Sequence, residues 1–179
     1  DDKVSIVTGA SRGIGLAMAE GLAGAGSELV IVGRRIETLE PVAKRIATKS
    51  GRRVLPIQAD VGNLEEFDSI VEQTLDEFGK INVLVNNAGI NAPRPAEEYT
   101  EEDWDAVTDV NIKGTFFLTQ ACGKVMIEQK AGKIINTLSL TSAVGLPTVV
   151  AYTAAKGGLM QLTKLLAVEW AVHNIQVNG

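Results

Sequence analysis

Residues 4–15 read Val-Ser-Ile-Val-Thr-Gly-Ala-Ser-Arg-Gly-Ile-Gly, a short apolar run followed by a loop with three glycines. The run predicts a buried strand, and the residues after the loop have the pattern of a helix. Small residues at Gly9, Gly13 and Gly15 let the backbone approach a pyrophosphate, which the amino-terminal end of a helix attracts. Alone, this spacing also fits an ordinary tight turn, but its place between a strand and a helix favours phosphate binding.

Outward from that stretch, short β-branched runs alternate with longer amphipathic segments. Strands are predicted at residues 4–8, 28–32, 54–58, 83–86, 133–138 and 175–178. Helices are predicted at residues 13–25, 36–49, 64–78, 101–129 and 152–173. Each repeat takes about 30 residues, as a right-handed crossover between parallel strands requires. The pattern predicts one domain over residues 1–179 with an α/β fold, a doubly wound parallel sheet of order 3-2-1-4-5-6 between two helix layers.

Composition and charge exclude several functions. The 179 residues include 17 Lys or Arg and 22 Asp or Glu, which gives a formal net charge of −5. Such a chain offers no basic stripe, so no nucleic-acid partner is expected. No apolar run approaches the roughly 18 residues that span a bilayer, and no membrane partner is expected. The single Cys122 allows no internal disulfide and no Cys/His cluster has metal-ligand spacing, which predicts a soluble cytoplasmic protein without a metal.

The residues after the second predicted strand bear on the choice of dinucleotide. A fold that prefers NAD usually places Asp or Glu about 20 residues after the glycine loop, to accept a hydrogen bond from the ribose 2′-hydroxyl. This chain has Gly33, Arg34 and Arg35 at that place. A guanidinium pairs with a 2′-phosphate, so Arg34, with Arg12 from the glycine loop, favours NADP(H) over NAD(H). The alternative is that Arg34 and Arg35 are a solvated pair at a helix start.

Tyr152 and Lys156 stand four residues apart at the start of a predicted helix. Such residues share one helix face with Cβ atoms about 5 to 6 Å apart. An ammonium there stabilises a phenolate, so the phenol can act as a general acid and base. Ser139 follows the fifth predicted strand, where it can hydrogen-bond a substrate oxygen. Asn111 is unusual within a helix. The alternative for the pair is a surface tyrosine stacked on a lysine stem.

Taken in order, the motifs resemble those of the short-chain dehydrogenase/reductase family over essentially the whole chain. The glycine loop Thr8-Gly9-x-x-x-Gly13-x-Gly15 matches the family's cofactor loop. Asp60 matches the acid after its third strand, and Asn86-Asn87-Ala88-Gly89 matches its fourth-strand motif. Its catalytic tetrad is matched by Asn111, Ser139, Tyr152 and Lys156.

The resemblance implies hydride transfer between a nicotinamide and a carbonyl or secondary-alcohol carbon, without a metal. Tyr152 would donate the proton to the substrate oxygen, which Ser139 would hold. Lys156 would bind the nicotinamide ribose, and Asn111 would hold a water that relays protons to Lys156. From both lines of reasoning, the residues expected to bind the cofactor are Gly9, Ser11, Arg12, Gly13, Ile14, Gly15, Arg34, Asp60, Val61, Asn87, Ala88, Gly89, Tyr152 and Lys156.

Residues 166–178 are most similar to gluconate 5-dehydrogenases and related sugar-acid or polyol oxidoreductases, which implies a small-molecule carbonyl or alcohol substrate. The glycine loop and arginine pair are equally similar to 3-oxoacyl-carrier-protein reductases. A non-catalytic nucleotide-binding scaffold is expected to lack Tyr152 or Lys156, and both are present. Family members pair their long helices in homo-oligomers, so a dimer or homotetramer is expected. They also continue with a substrate loop and a seventh strand, which are expected to be absent here.

Overall fold

Apolar, β-branched segments of the chain pair into one parallel sheet in the computed structural model, which describes residues 2–179. The strands are β1 (Lys3–Thr8), β2 (Ser27–Gly33), β3 (Val54–Gln58), β4 (Val83–Asn86), β5 (Gly132–Asn136) and β6 (Ile175–Asn178). The helices are α1 (Gly13–Gly24), α2 (Ile36–Ser50), α3 (Phe67–Phe78), α4 (Glu101–Thr108), α5 (Thr115–Gln129) and α6 (Val150–Glu169). The strand order is β3-β2-β1-β4-β5-β6, so the predicted doubly wound α/β fold is confirmed.

Both faces of the central strands are buried. Ile6 and Val30 belong to the core that also contains residues of α3, α5 and α6, whereas Val7 and Ile31 belong to the core beneath α1 and α2. Side chains alternate between the two faces of a strand, so a strand covered on both faces is apolar at consecutive positions. This explains why the first two strands are continuous apolar runs in the sequence.

The helix predicted at residues 101–129 has these bounds in the structure, but it is not one regular α-helix. A π-helical turn, Asp109–Gly114, separates α4 from α5. A Cβ atom at Gly114 would overlap the carbonyl oxygen of Val61, so the chain passes very close to the loop after β3 at this point. The hydroxyl of Thr115 donates a hydrogen bond to the carbonyl of Val110 at 3.3 Å, a partner within the widened turn. The apolar periodicity of residues 101–129 does not indicate this change.

Smaller differences concern the ends of elements near the carboxyl edge of the sheet. β5 ends at Asn136, two residues before its predicted end, and α6 begins at Val150, two residues before its predicted start. The backbone of Arg94 donates a hydrogen bond to Thr148 at 2.8 Å and forms an isolated bridge with Val149, which ties the loops after β4 and β5 together just before α6. Tyr152 therefore lies in the first turn of α6.

Within residues 2–179, no helix is long and apolar enough to cross a membrane. In the same range, no three His, Cys, Asp or Glu side chains are grouped so that they could hold a metal ion. Cys122 is buried on α5. Burial raises the pKa of its thiol to about 12, so the thiol stays protonated and packs as a small apolar group.

Candidate active site

A cleft of about 320 Å³ opens at the carboxyl ends of β1, β2 and β4. It lies where the order of the strands reverses, the usual ligand site of a doubly wound sheet. Ten residues predicted to bind the cofactor line it: Gly9, Ser11, Arg12, Gly13, Arg34, Asp60, Val61, Asn87, Ala88 and Gly89. Five lining residues were not predicted: Val32, Gly33, Ala59, Ile90 and Val110. Gly33, Ala59 and Ile90 are each next to a predicted residue in the chain and Val32 is one position further away, so their place at strand ends could have indicated them, whereas Val110 comes from the π-helical turn.

The glycine loop after β1 needs glycine for two different reasons. Gly9 and Gly13 have φ of +66° and +60°, in the left-handed region that other residues rarely adopt. Gly15 is buried at the start of α1, and a Cβ atom there would overlap the carbonyl oxygen of Gly9 and the side-chain amide of Asn87. The loop is therefore both bent by its glycines and pressed against the end of β4.

The amino-terminal end of α1 fits an anionic group. No side chain caps this end, and the first turn holds no acidic residue, so its N–H groups and the positive end of the helix dipole face the cleft unopposed. Arg12 and Arg34 line the cleft with exposed side chains, whereas Arg35 does not line it. Ile14, predicted as a contact, is not among the lining residues, and its side chain is 64% exposed. A dinucleotide phosphate fits this end of the cleft.

One hydroxyl joins the two strands that flank the cleft. The Thr8 hydroxyl, at the end of β1, accepts hydrogen bonds from the N–H groups of Asn87 and Ala88, both at 3.0 Å, and donates to the carbonyl of Val85 at 3.3 Å. The Asn87 amide nitrogen donates to the Thr8 carbonyl at 3.1 Å. Thr8 thus holds the glycine loop against the loop after β4, a function that the sequence pattern did not indicate.

The loop after β3 forms the cleft wall opposite the glycine loop. The carboxylate of Asp60 accepts a hydrogen bond from the N–H of Gly62 at 2.9 Å, and the N–H of Asp60 donates to the carboxylate of Glu66 at 2.8 Å. Both bonds fix the backbone of residues 60–62. Asp60 and Val61 therefore present a rigid surface to the cleft.

Tyr152 and Lys156 lie on one face of α6. The Lys156 ammonium nitrogen is 5.7 Å from the centre of the Tyr152 ring. Lys156 is only 4% exposed, and its ammonium donates a hydrogen bond to the carbonyl of Thr137, just after β5, at 2.6 Å. Burial lowers the pKa of Lys156 to about 8, because desolvation disfavours the charged form. The side chain therefore remains mostly protonated at pH 7, beside the phenol.

Ser139 begins a short 3-10 turn, Leu140–Ser142, that follows β5 and packs against α6. Its hydroxyl oxygen accepts hydrogen bonds from the Thr141 N–H at 3.2 Å and from the Thr141 hydroxyl at 3.0 Å. Because these two donors occupy the oxygen's lone pairs, the proton of the Ser139 hydroxyl is left to donate elsewhere. Nothing in the sequence singled out Thr141, which is buried.

Asn111 is fully buried in the π-helical turn, and its amide is committed to backbone groups. Its nitrogen donates to the carbonyls of Ile90 at 2.7 Å and Val107 at 2.9 Å, and its oxygen accepts from the Ile90 N–H at 3.2 Å. The amide thus fastens the loop after β4. That Asn111 holds a water that relays protons to Lys156 stays a prediction.

A buried polar network holds together the strands and helices that carry these groups. The Asn86 amide donates to the side chains of Asn136 at 2.9 Å and Thr119 at 2.8 Å, and the Asn136 amide donates to Thr163 at 2.9 Å. These bonds link β4 and β5 to α5 and α6. Buried polar groups that are fully paired favour one arrangement over its alternatives.

Tyr152 and Lys156, also predicted to bind the cofactor, are not among the residues that line the cleft. A doubly wound parallel sheet with a glycine loop after its first strand and a Tyr–Lys pair on the helix after its fifth strand defines a class of nucleotide-dependent oxidoreductases. The family model described as short chain dehydrogenase matches residues 3–179. The chain belongs to the short chain dehydrogenase family, as the resemblance of its motifs predicted.

Three relatives illustrate the range of the family around this chain. It is 44% identical over 182 residues to the 2-dehydro-3-deoxy-D-gluconate 5-dehydrogenase of Escherichia coli (strain K12), covering 100% of this chain and 70% of that protein. It is 40% identical over 177 residues to a 3-oxoacyl-acyl-carrier-protein reductase of Synechocystis sp., covering 99% and 72%. The crystal structure of a gluconate 5-dehydrogenase from Burkholderia cenocepacia J2315 with NADP and tartrate matches with a TM-score of 0.95 at 37% identity, covering 100% and 70%.

Proposed function

We propose that this chain is an NADP(H)-dependent oxidoreductase that transfers a hydride between the nicotinamide and a carbonyl or secondary-alcohol carbon of a sugar acid or polyol. The observation that carries this proposal is the buried ammonium of Lys156 beside the Tyr152 ring, next to the turn that begins at Ser139. Burying a cation costs stability, and a lysine kept buried beside a phenol despite that cost is typical of a functional site. The whole of residues 1–179 would then be one domain that both binds the dinucleotide and carries the reacting groups.

Three side chains divide the proton chemistry. Tyr152 gives its proton to the substrate oxygen during reduction and takes it back during oxidation. Ser139, whose oxygen already accepts two hydrogen bonds from Thr141, keeps its proton and donates a hydrogen bond to that same substrate oxygen. Lys156 stabilises the phenolate through its charge, at an effective dielectric constant far below that of water. The bound nicotinamide supplies or accepts the hydride.

The dinucleotide is proposed to be NADP(H). The uncapped end of α1 would hold the pyrophosphate, and the exposed guanidinium of Arg34 would pair with the 2′-phosphate, with Arg12 as a second cation. No carboxylate stands next to Arg34 at the end of β2 to accept a bond from a ribose hydroxyl. The relative bound to NADP and tartrate supports a phosphate-bearing cofactor and an acid-bearing substrate.

Exposed apolar side chains and the single cysteine bear on the assembly and the location of the protein. We propose a homo-oligomer, either a dimer or a tetramer, because apolar side chains remain exposed on α5 at Phe117 and on α6 at Leu165 and Val168. A cytoplasmic location is proposed because the one cysteine, Cys122, is buried and free. The mass in solution, measured by light scattering, tests the oligomer, and a monomer at micromolar concentration would contradict it.

The proposed reaction is tested by following NADPH and NADH absorbance with three classes of carbonyl compound. These are keto sugar acids such as 5-ketogluconate, the corresponding neutral ketoses, and 3-oxoacyl thioesters. Turnover of the keto acids with NADPH is expected. Turnover of the thioesters alone would instead identify a 3-oxoacyl-carrier-protein reductase. NADPH binding without turnover of any of the three would favour a nucleotide-binding scaffold.

A further inference from the structure

The π-helical turn Asp109–Gly114 lies between the loop after β3 and helix α6. On one side it meets the loop after β3: Val110 packs against Gly62, where an added Cβ atom would lie 3.3 Å from the valine, and Gly114 lies against Val61. On the other side, Ile112 reaches Gly158 of α6, two residues after Lys156. The turn therefore touches both the wall formed by residues 60–62 and the helix that carries Tyr152.

Gly114 makes the closest of these contacts. A Cβ atom at this position would overlap the Val61 carbonyl oxygen and would lie 2.9 Å from the carbonyl oxygen of Asp109. Both of these neighbours are backbone atoms, which cannot rotate away as the end of a side chain can. At Gly158, in contrast, an added Cβ atom would meet only the terminal methyl of Ile112. Any side chain at position 114 must therefore move either the turn or the loop.

The consequences of such a movement reach the cleft through Asn111. Its amide holds Ile90, which lines the cleft, and a Cβ atom at Gly89 would lie 2.6 Å from the Asn111 amide oxygen. Val61 and Val110 line the same cleft. A shift at position 114 would thus disturb the wall of the cleft and the loop after β4 at the same time.

We propose that Gly114 is a positioning residue, which seats the π-helical turn on the Val61 carbonyl and thereby fixes both the loop at residues 60–62 and Asn111. The inference rests on the proposed function for its effect on turnover. Its effect on nucleotide affinity is independent of whether any carbonyl compound is turned over.

The test compares Gly114→Ala with Gly21→Ala, a helical glycine on α1 whose added Cβ atom would meet no atom within 4 Å. NADPH affinity is measured by fluorescence titration, and kcat with the keto sugar acid. Gly114→Ala is expected to weaken NADPH binding about tenfold and to lower kcat about tenfold, and Gly21→Ala to change neither. A folded Gly114→Ala protein within twofold of wild type in both would overturn the proposal.

A double variant separates positioning from a general loss of packing. In an Asn111→Ala background, Gly114→Ala is expected to lower kcat less than twofold further, since the amide that it would displace is already gone. The loss of NADPH affinity is expected to remain. Losses in kcat that multiply fully in the double variant would show that Gly114 does not act through Asn111, and would overturn the proposal.

A milder variant keeps the test decisive if Gly114→Ala does not fold. Gly62→Ala presses on Val110 from the opposite side and leaves the helix intact, so about threefold losses in affinity and kcat are expected; wild-type values would overturn the proposal. Wild-type protein that binds NADPH without turnover would refute only the proposed function, because the affinities of the variants still test Gly114. A protein that binds neither NADPH nor NADH would overturn both.

Discussion

The two sides of the candidate site, the cleft and the group of side chains on β5 and α6, are built in contrasting ways. On the side of β1 and β2, Arg12 and Arg34 are exposed and form no ion pair within the described part of the chain. On the side of β5 and α6, Ser139 and Lys156 are each held by hydrogen bonds to neighbouring groups, and Lys156 is buried. The two arginines of the first side would gain an anionic partner only from a ligand. The groups of the second side are already positioned by hydrogen bonds within the protein. Preorganised groups contribute most where charge develops during a reaction, so removing the proton donor on the second side should have the largest effect.

The largest effect is expected for Tyr152→Phe, which removes the proton donor and leaves the ring. Turnover should fall about 10³-fold, the contribution typical of a positioned acid or base, while NADPH affinity is retained. Tyr99→Phe is the matched control, because Tyr99 is the other tyrosine and its buried hydroxyl has no hydrogen-bond partner in the described residues. Steady-state kinetics and a binding titration give both quantities. Retained turnover in Tyr152→Phe would dismiss Tyr152 as the proton donor.

The next effect concerns the cost of keeping Lys156 charged and buried. Below pH 8 the lysine is protonated in both the folded and the unfolded chain, and the fold bears the full desolvation cost. Between about pH 8 and 10.4 the folded protein loses this proton first, so its free energy of unfolding rises with pH by up to about 3 kcal/mol relative to Lys156→Met.

Urea unfolding of the ligand-free protein at several pH values measures that difference. Lys44→Met, at an exposed position on α2, should run parallel to wild type over the same range. If the free energies of unfolding of wild type and Lys156→Met changed in parallel with pH, the charged lysine would not be destabilised by burial. The second side would then not differ from the first in this respect.

A smaller effect is expected on the open side. Arg34→Asp removes the proposed partner of the 2′-phosphate and adds a repelling charge, so the preference for NADPH over NADH should fall about tenfold to hundredfold. Arg35→Asp makes the same change in charge at the next residue, which does not line the cleft. Ratios of kcat/KM for the two dinucleotides measure the preference. An unchanged ratio in Arg34→Asp would assign Arg34 to the solvated pair.

The smallest effect is expected for Thr141→Val, which deletes one of the two donors that orient the Ser139 hydroxyl. The loss of one hydrogen bond of about 1 kcal/mol corresponds to about a fivefold fall in kcat. KM for NADPH should not change, since the dinucleotide side is untouched. Thr48→Val, at an exposed position on α2, serves as the control. A Thr141→Val protein with wild-type kcat would show that the Thr141 hydroxyl does not set the direction of the serine proton.

The features of the site that could be predicted from the sequence are those that depend on residues close together in the chain. The glycine loop and the Tyr–Lys spacing are local, because their geometry follows from residues at most seven apart along the chain. Alternation of short apolar runs with helical segments was enough for the strand order, since right-handed crossovers leave few topologies. Asn111 stood out because asparagine has little reason to occur within a helix.

What could not be predicted depends on contacts between distant segments. Thr8 bonds to Asn87 across 79 positions, and Lys156 bonds to Thr137 across 19. The π-helical turn Asp109–Gly114 lies against Val61, about 50 positions away in the chain, and the apolar periodicity does not indicate this contact. The hydrogen bonds between the Asn111 amide and the backbone of Ile90, 21 positions away, were likewise not predictable from the sequence.

The π-helical turn also constrains how the chain could be shortened. A widened turn of this kind accommodates one residue more than the regular helix would, and each residue of an α-helix advances the chain by about 100° around the axis. Deleting one residue of the turn would join α4 and α5 into the continuous helix that the periodicity suggests. Because the turn absorbs the extra residue, such a deletion would leave the stripe formed by Leu118, Cys122 and Met126 facing the core. Deleting one residue within α5 itself would instead rotate the rest of that helix by about 100°.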